Sequence, residues 1–155
     1  MSTFPVDQLD VDRLLFDWRW LCPQPVSVIA RNAFGELFLT DDRNRVLWLN
    51  VTTGALTKIA DSPDEFRKLA MTPGKREAWF SESAALAYSQ RGMEPSPLQC
   101  IAFSVPAVFA EGGTPDTAYV ADIYEHISFL GDLHRQISSL PDGSKITLKV
   151  LPPKL

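Results

Sequence analysis

The residues able to carry chemistry are few and widely spaced. Two histidines, His126 and His134, lie eight positions apart in a segment of helical periodicity. That spacing sets them about 80° apart around a helix but two turns apart along it, too far to share a metal ion. Asp122 and His126, one turn apart, would supply two ligands, and no second pair completes a site. Such carboxylate–imidazole pairs on helix surfaces are usually solvated. A Ser-His-Asp triad is non-local, so spacing leaves it open, but no serine stands in a Gly-x-Ser-x-Gly setting. Cys22 and Cys100 are far apart, with no Cys-x-x-Cys or His-Cys spacing, and read as two small buried thiols in a reducing compartment. Gly112-Gly113 is flanked by Glu111 and Asp116, which would repel an anion, so it reads as a tight turn rather than a phosphate cradle. The expectation is a protein with no catalytic residue, cofactor or metal site.

What remains is surface. Of four tryptophans, Trp18, Trp48 and Trp79 sit in apolar patterns and belong to the core, whereas Trp20 falls off its helical stripe and is a candidate contact residue. The carboxylates gather in three places: Asp7 to Asp17, Asp61 to Glu65, and Glu111 to Glu125. Each cluster taken alone is ordinary solvated surface, and helix N-termini favour carboxylates in any case. The third adjoins a glycine-containing loop, where backbone can approach a partner. Trp20, Glu111, Asp116, Asp122 and Glu125 are therefore the candidate protein-binding residues. A formal net charge of −4 leaves no basic footprint for nucleic acid. No stretch approaches the ~18 apolar residues of a spanning helix, and the polar N-terminus lacks the features of a secretory signal. The reading is cytoplasmic.

The elements that position these residues follow from pattern. At 155 residues with 45% hydrophobic content, the chain fits one globular domain over 1–155. Leu9 to Leu21 has helical spacing and stops at Cys22-Pro23-Gln24-Pro25. Four short segments rich in β-branched and aromatic residues follow, beginning at Val26, Glu36, Val46 and Ala55. Their connections are too short for anything but an antiparallel meander. Ser62-Pro63-Asp64-Glu65 opens a helix with a capping box, and a second helix is expected from Lys75 to Gln90. Leu98–Phe103 reads as a central strand, followed by a loop. Ile123, Ile127, Leu130, Leu133, Ile137 and Leu140 then mark the best amphipathic helix, which should cover that strand. A turn at Leu140–Gly143 and an alternating strand at Lys145–Val150 end the pattern. The expected class is α+β: a meander of about four strands plus later strands, packed by about four helices.

Several segments, taken in order, carry a family resemblance. Phe34-Gly35-Glu36-Leu37-Phe38-Leu39, Val46-Leu47-Trp48-Leu49, Thr53-Gly54-Ala55-Leu56 and Ser62-Pro63-Asp64-Glu65-Phe66 come first. Leu98-Gln99-Cys100-Ile101, Gly131-Asp132-Leu133-His134-Arg135-Gln136-Ile137 and Leu140-Pro141-Asp142-Gly143 follow. Over roughly Leu9 to Val150 the chain resembles the C-terminal domain family of immunity proteins that accompany type VI secretion DNase effectors, and it looks distantly similar to the SUKH superfamily. The resemblance implies a non-enzymatic protein that binds and blocks a cognate bacterial toxin, a nuclease effector, and it supplies no catalytic residues. The alternative is a small ligand-binding domain or enzyme of unknown substrate.

Overall fold

The computed structural model describes residues 4–106, 109 and 112–140. It is an α+β fold of five helices and two antiparallel sheets. Strands β1 (Ser27–Arg31), β2 (Leu37–Thr40), β3 (Val46–Asn50) and β4 (Ala55–Ala60) form the expected meander in sequence order. Leu37 faces Leu49, Phe38 faces Trp48 and Leu39 faces Leu47 across β2 and β3. Side chains alternate across a pleated sheet, so this register sends the four leucines to one face and Phe38, Val46 and Trp48 to the other. Both faces are covered. The leucines pack with Leu14, Leu15 and Trp18 and with Ile127, Leu130 and Leu133. Phe38 and Val46 pack with Phe66 and Trp79. Double coverage is why β2 reads as an unbroken apolar run.

The helices supply that coverage. Helix α1 (Val11–Leu15) is capped by the Asp10 side chain, which accepts from the Arg13 N–H at 3.2 Å. It tightens at once into a 3-10 turn over Phe16–Trp18, so the expected Leu9–Leu21 helix is shorter than its pattern. Leu21 and Cys22 donate back to the Trp18 carbonyl, turning the chain ahead of Pro23. Helix α2 (Pro63–Ala70) starts as its capping signal requires, with the Ser62 hydroxyl accepting from Glu65 N at 3.1 Å.

The single helix expected over Lys75–Gln90 is two helices, α3 (Pro73–Phe80) and α4 (Glu82–Gln90). Ser81 breaks them in the left-handed region, at φ 49° and ψ 46°. Side chains replace the lost helical continuity: Arg76 pairs with Glu82 at 2.8 Å, and the Glu77 carboxylate accepts from Ser83. The break lets Trp79 and Phe80 reach the meander while Tyr88 packs with Phe34, Ile101 and Phe103, a division that one straight helix would not allow.

Strand β5 (Gln99–Phe103) is not central among the described residues. It pairs antiparallel with β6 (Ala118–Asp122), a strand sequence reading left as loop. On its other side it makes one backbone bond, from Ile101 N to Ala33 O at 2.8 Å. Helix α5 (Ile123–Ile137) follows β6 without a connector and does pack on β5. The turn expected at Pro141–Gly143 and the strand at Lys145–Val150 lie outside the described residues.

Candidate functional site

Helix α5 carries both histidines and two of the candidate carboxylates, and its neighbours decide what each can do. Asp122 ends β6 and caps α5, its carboxylate accepting from Glu125 N at 3.0 Å. It is therefore committed to the helix N-terminus, and no Asp122–His126 ion pair forms. Ile123, Ile127, Leu130 and Leu133 enter the core. The indole N–H of Trp18 donates to Ile127 O at 2.8 Å, and that of Trp20 to Gly131 O at 3.3 Å. Gly131 has a packing reason for lying inside a helix. A Cβ there would stand 2.7 Å from Asp17 O and 2.8 Å from Trp18 Nε1, so only glycine lets the Phe16–Trp18 turn cross so closely. The Ser128 hydroxyl donates to the Asp17 carboxylate at the same crossing.

His134 belongs to this crossing. Its Nε2–H donates to Val51 O at 3.0 Å, and its ring lies 5.7 Å from that of Trp18. The β3–β4 turn closes over it at Gly54, where φ is 77° and a Cβ would meet the imidazole at 2.5 Å. Burial lowers its pKa, with the backbone bonds opposing. His126 is largely buried, and burial pushes its pKa down to about 4, so the ring is neutral at neutral pH. Among the described residues it has no hydrogen-bond partner.

The thiols are buried and unpaired. Burial raises the pKa of Cys22 and pushes that of Cys100 up to about 12, so neither is a thiolate at neutral pH. Among the described residues no group of three or more His, Cys, Asp or Glu side chains could hold a metal ion.

Two clefts open on the surface. One, of about 270 Å³, is lined in part by Phe4 and by the buried Arg31, whose guanidinium lies 4.3 Å from the Phe4 ring centre. Arg31 donates to the carbonyls of Asn32, Pro97 and Gln99, tying the end of β1 to the start of β5, and burial draws its pKa down to about 10. Glu82 and Glu94 also line that cleft, which disfavours an anionic ligand there. The other, of about 210 Å³, lies between β6, α5 and the β1–β2 turn, lined in part by Phe34, Phe103, Tyr119, His126 and Phe129. The Asn32 carboxamide builds that turn, accepting from Phe34 N and Glu36 N while donating to Trp79 O. Glu36 is buried beside it, its pKa raised by burial and its carboxylate accepting from the Trp48 indole at 3.2 Å.

The four described residues among the five singled out from sequence do not form one surface. Asp122 and Glu125 stand together at the start of α5. Asp116 is exposed in the 3-10 turn at the opposite end of β6, the whole five-residue strand away. Trp20 is 38% exposed, stacked on Trp18 at 6.0 Å and held against Gly131. By the helical angle, Gly131 points about 160° away from Phe129, so Trp20 and the acidic stripe flank different sides of α5. Glu111 lies outside the described residues. Sequence reading missed Tyr119 and Phe129, each 48% exposed. The signal for Phe129 was present: it falls off the Ile123–Ile127–Leu130 stripe and stands four residues after Glu125 and three before Asp132.

The fold and this surface define a single α+β unit whose reactive side chains are largely taken up by structure. A scan against protein-family models and a search of the curated proteins find no match for this chain.

Proposed function

We propose that this protein is a non-enzymatic immunity-type protein that binds and blocks a bacterial toxin, a nuclease effector, in the cytoplasm of the cell that makes it. The observation that carries the reading is the employment of the reactive groups. His134 holds the β3–β4 turn, Asp122 caps α5, Arg31 joins β1 to β5, and both thiols are buried and protonated. Among the described residues exposed Lys and Arg side chains are outnumbered by exposed carboxylates. They suit a partner whose working surface is basic, as a nuclease's phosphate-binding groove must be. The resemblance along the meander and α5 points the same way. No helix among the described residues is long and apolar enough to cross a membrane.

A second reading, a small ligand-binding domain, is favoured by the cleft beside His126. At about 210 Å³ that cleft falls below the ~300–1,000 Å³ usual for small-molecule sites, which favours the first reading. Co-expression with nuclease effectors encoded in the same genome separates the two. The immunity reading predicts that colony formation, abolished by one of these effectors alone, returns when this protein is made with it. Killing by every effector that persists despite soluble expression of both proteins contradicts the reading.

A further inference from the structure

Helix α5 presents one stripe that no other described element covers. Asp122, Glu125, Phe129 and Asp132 recur at intervals of three, four and three residues, which places them on one side of the helix over about 15 Å. Asp122, Glu125 and Phe129 are exposed, and the Asp132 carboxylate is about half exposed while pairing with Arg135 at 2.6 Å. Phe129 forms one wall of the aromatic cleft, and Tyr119, from β6, forms another. Both rings are half in water, at 48% exposure. His126 sits one turn before Leu130, beside the stripe, as a polar ring in the same cleft. The arrangement is an apolar recess with aromatic walls and a ring of carboxylates on one flank. An apolar anchor within a charged rim is the usual anatomy of a protein contact surface.

Resting on the immunity reading, we infer that the toxin docks on this face of α5, seating one apolar side chain in the cleft between Tyr119 and Phe129 and laying its basic groove along Asp122, Glu125 and Asp132. The occupant is thus the Lys- and Arg-lined, phosphate-binding surface of a nuclease with an apolar residue at its edge. Charge complementarity selects it: the stripe carries three carboxylates, and among the described residues the one cation paired with them is Arg135. His126, neutral and without a hydrogen-bond partner among the described residues, can give or accept one bond to the seated side chain. The two parts of the surface act on different rates. Carboxylates steer the encounter, whereas the anchored side chain sets the lifetime of the complex.

Binding kinetics with catalytically inactivated nuclease effectors encoded in the same genome test the assignment, at low and high salt. Phe129→Ala and Tyr119→Ala are expected to speed dissociation by roughly 10- to 100-fold, as central aromatic anchors do. Asp122→Asn with Glu125→Gln should slow association about tenfold at low salt and flatten its salt dependence, leaving dissociation nearly unchanged. Asparagine still caps a helix, so this pair removes charge without removing the cap. Leu86→Ala, on α4 and 60% exposed, should change neither rate. Each variant is first checked for an unchanged melting curve. A wild-type protein that binds while both aromatic variants and the charge variant keep wild-type rates overturns this surface and leaves the immunity reading standing. A loss confined to Trp20→Ala overturns it as well. A wild-type protein that does not bind at all overturns both.

Discussion

Replacing Trp18 with alanine is expected to cost about 3–5 kcal/mol of folding stability, the range for emptying a large aromatic site in a core. Trp18 is fully buried, stacks on Trp20, lies against His134 and donates its indole N–H to Ile127 O at 2.8 Å. It therefore joins the Phe16–Trp18 turn to α5 by packing and by a buried hydrogen bond together. Trp18→Phe separates the two contributions. Phenylalanine keeps most of the bulk and loses the donor, so about 1–2 kcal/mol should disappear, because the Ile127 carbonyl retains its helical geometry and the ring remains packed. Urea denaturation of the three proteins measures both steps. Against the total stability of about 5–15 kcal/mol usual for a domain, Trp18→Ala would remove a large fraction, from about a fifth upward. A loss below about 1 kcal/mol for Trp18→Ala would show that α5 is held mainly by other contacts.

Stability should also fall as the solution is acidified from neutral pH toward about 4, with His126 contributing to that slope alongside Asp41 and Asp61, whose pKa values are held down in the native protein. Its native pKa is about 4 because burial disfavours the imidazolium, while in the unfolded chain it returns to about 6.5. Above pH 6.5 the ring is neutral in both states and contributes no pH dependence. Between 6.5 and 4 the unfolded chain takes up a proton that the native protein refuses, so acid favours unfolding. Below 4 both states are protonated and the loss levels off. The full shift corresponds to about 3 kcal/mol. His134 is displaced in the same direction and adds to the slope. Glu36, whose pKa is raised, works against it by holding a proton more readily in the native protein. Urea melts at several pH values between 7.5 and 4 measure the slope, and His126→Phe should flatten it. A variant with the wild-type slope would assign the acid sensitivity to other groups.

The parts of this fold legible in the sequence are those decided by neighbours along the chain. Ser62 and Glu65 announce a cap through hydrogen bonds that reach three residues. The meander announces itself because turns such as Asn32–Gly35 and Asp41–Asn44 leave no room for a crossover. The α5 stripe is legible because one apolar face at helical spacing needs only a core to meet.

What stayed hidden was decided across the chain. Ser81 breaks a helix because Trp79 and Tyr88 are drawn into different cores, and neither core is visible from the local pattern. Strand β6 is five residues of modest β character that become a strand because β5 offers an edge. The α5 glycine looked like a weak point and is instead the place where Asp17 and Trp18 cross the helix.

The candidate site follows the same division. Asp122 and Glu125 were placed together by sequence, being three residues apart on one helix. Asp116, close in sequence, is carried to the far end of β6, and Trp20 is turned to another side of α5 by its bond to Gly131. Phe129 and Tyr119 come together only because β6 runs directly into α5 and the two share a cleft.

The central claim is that this protein acts by occupying a nuclease rather than by chemistry of its own. A titration of the purified protein into the active nuclease domain that it binds, read as cleavage of plasmid DNA, tests this most directly. The account predicts that cleavage falls in proportion to added protein and stops at a one-to-one ratio, with both proteins recovered intact as a complex. Cleavage that continues undiminished in the presence of a large excess would contradict it. So would complete inhibition by a small substoichiometric amount, because that requires turnover.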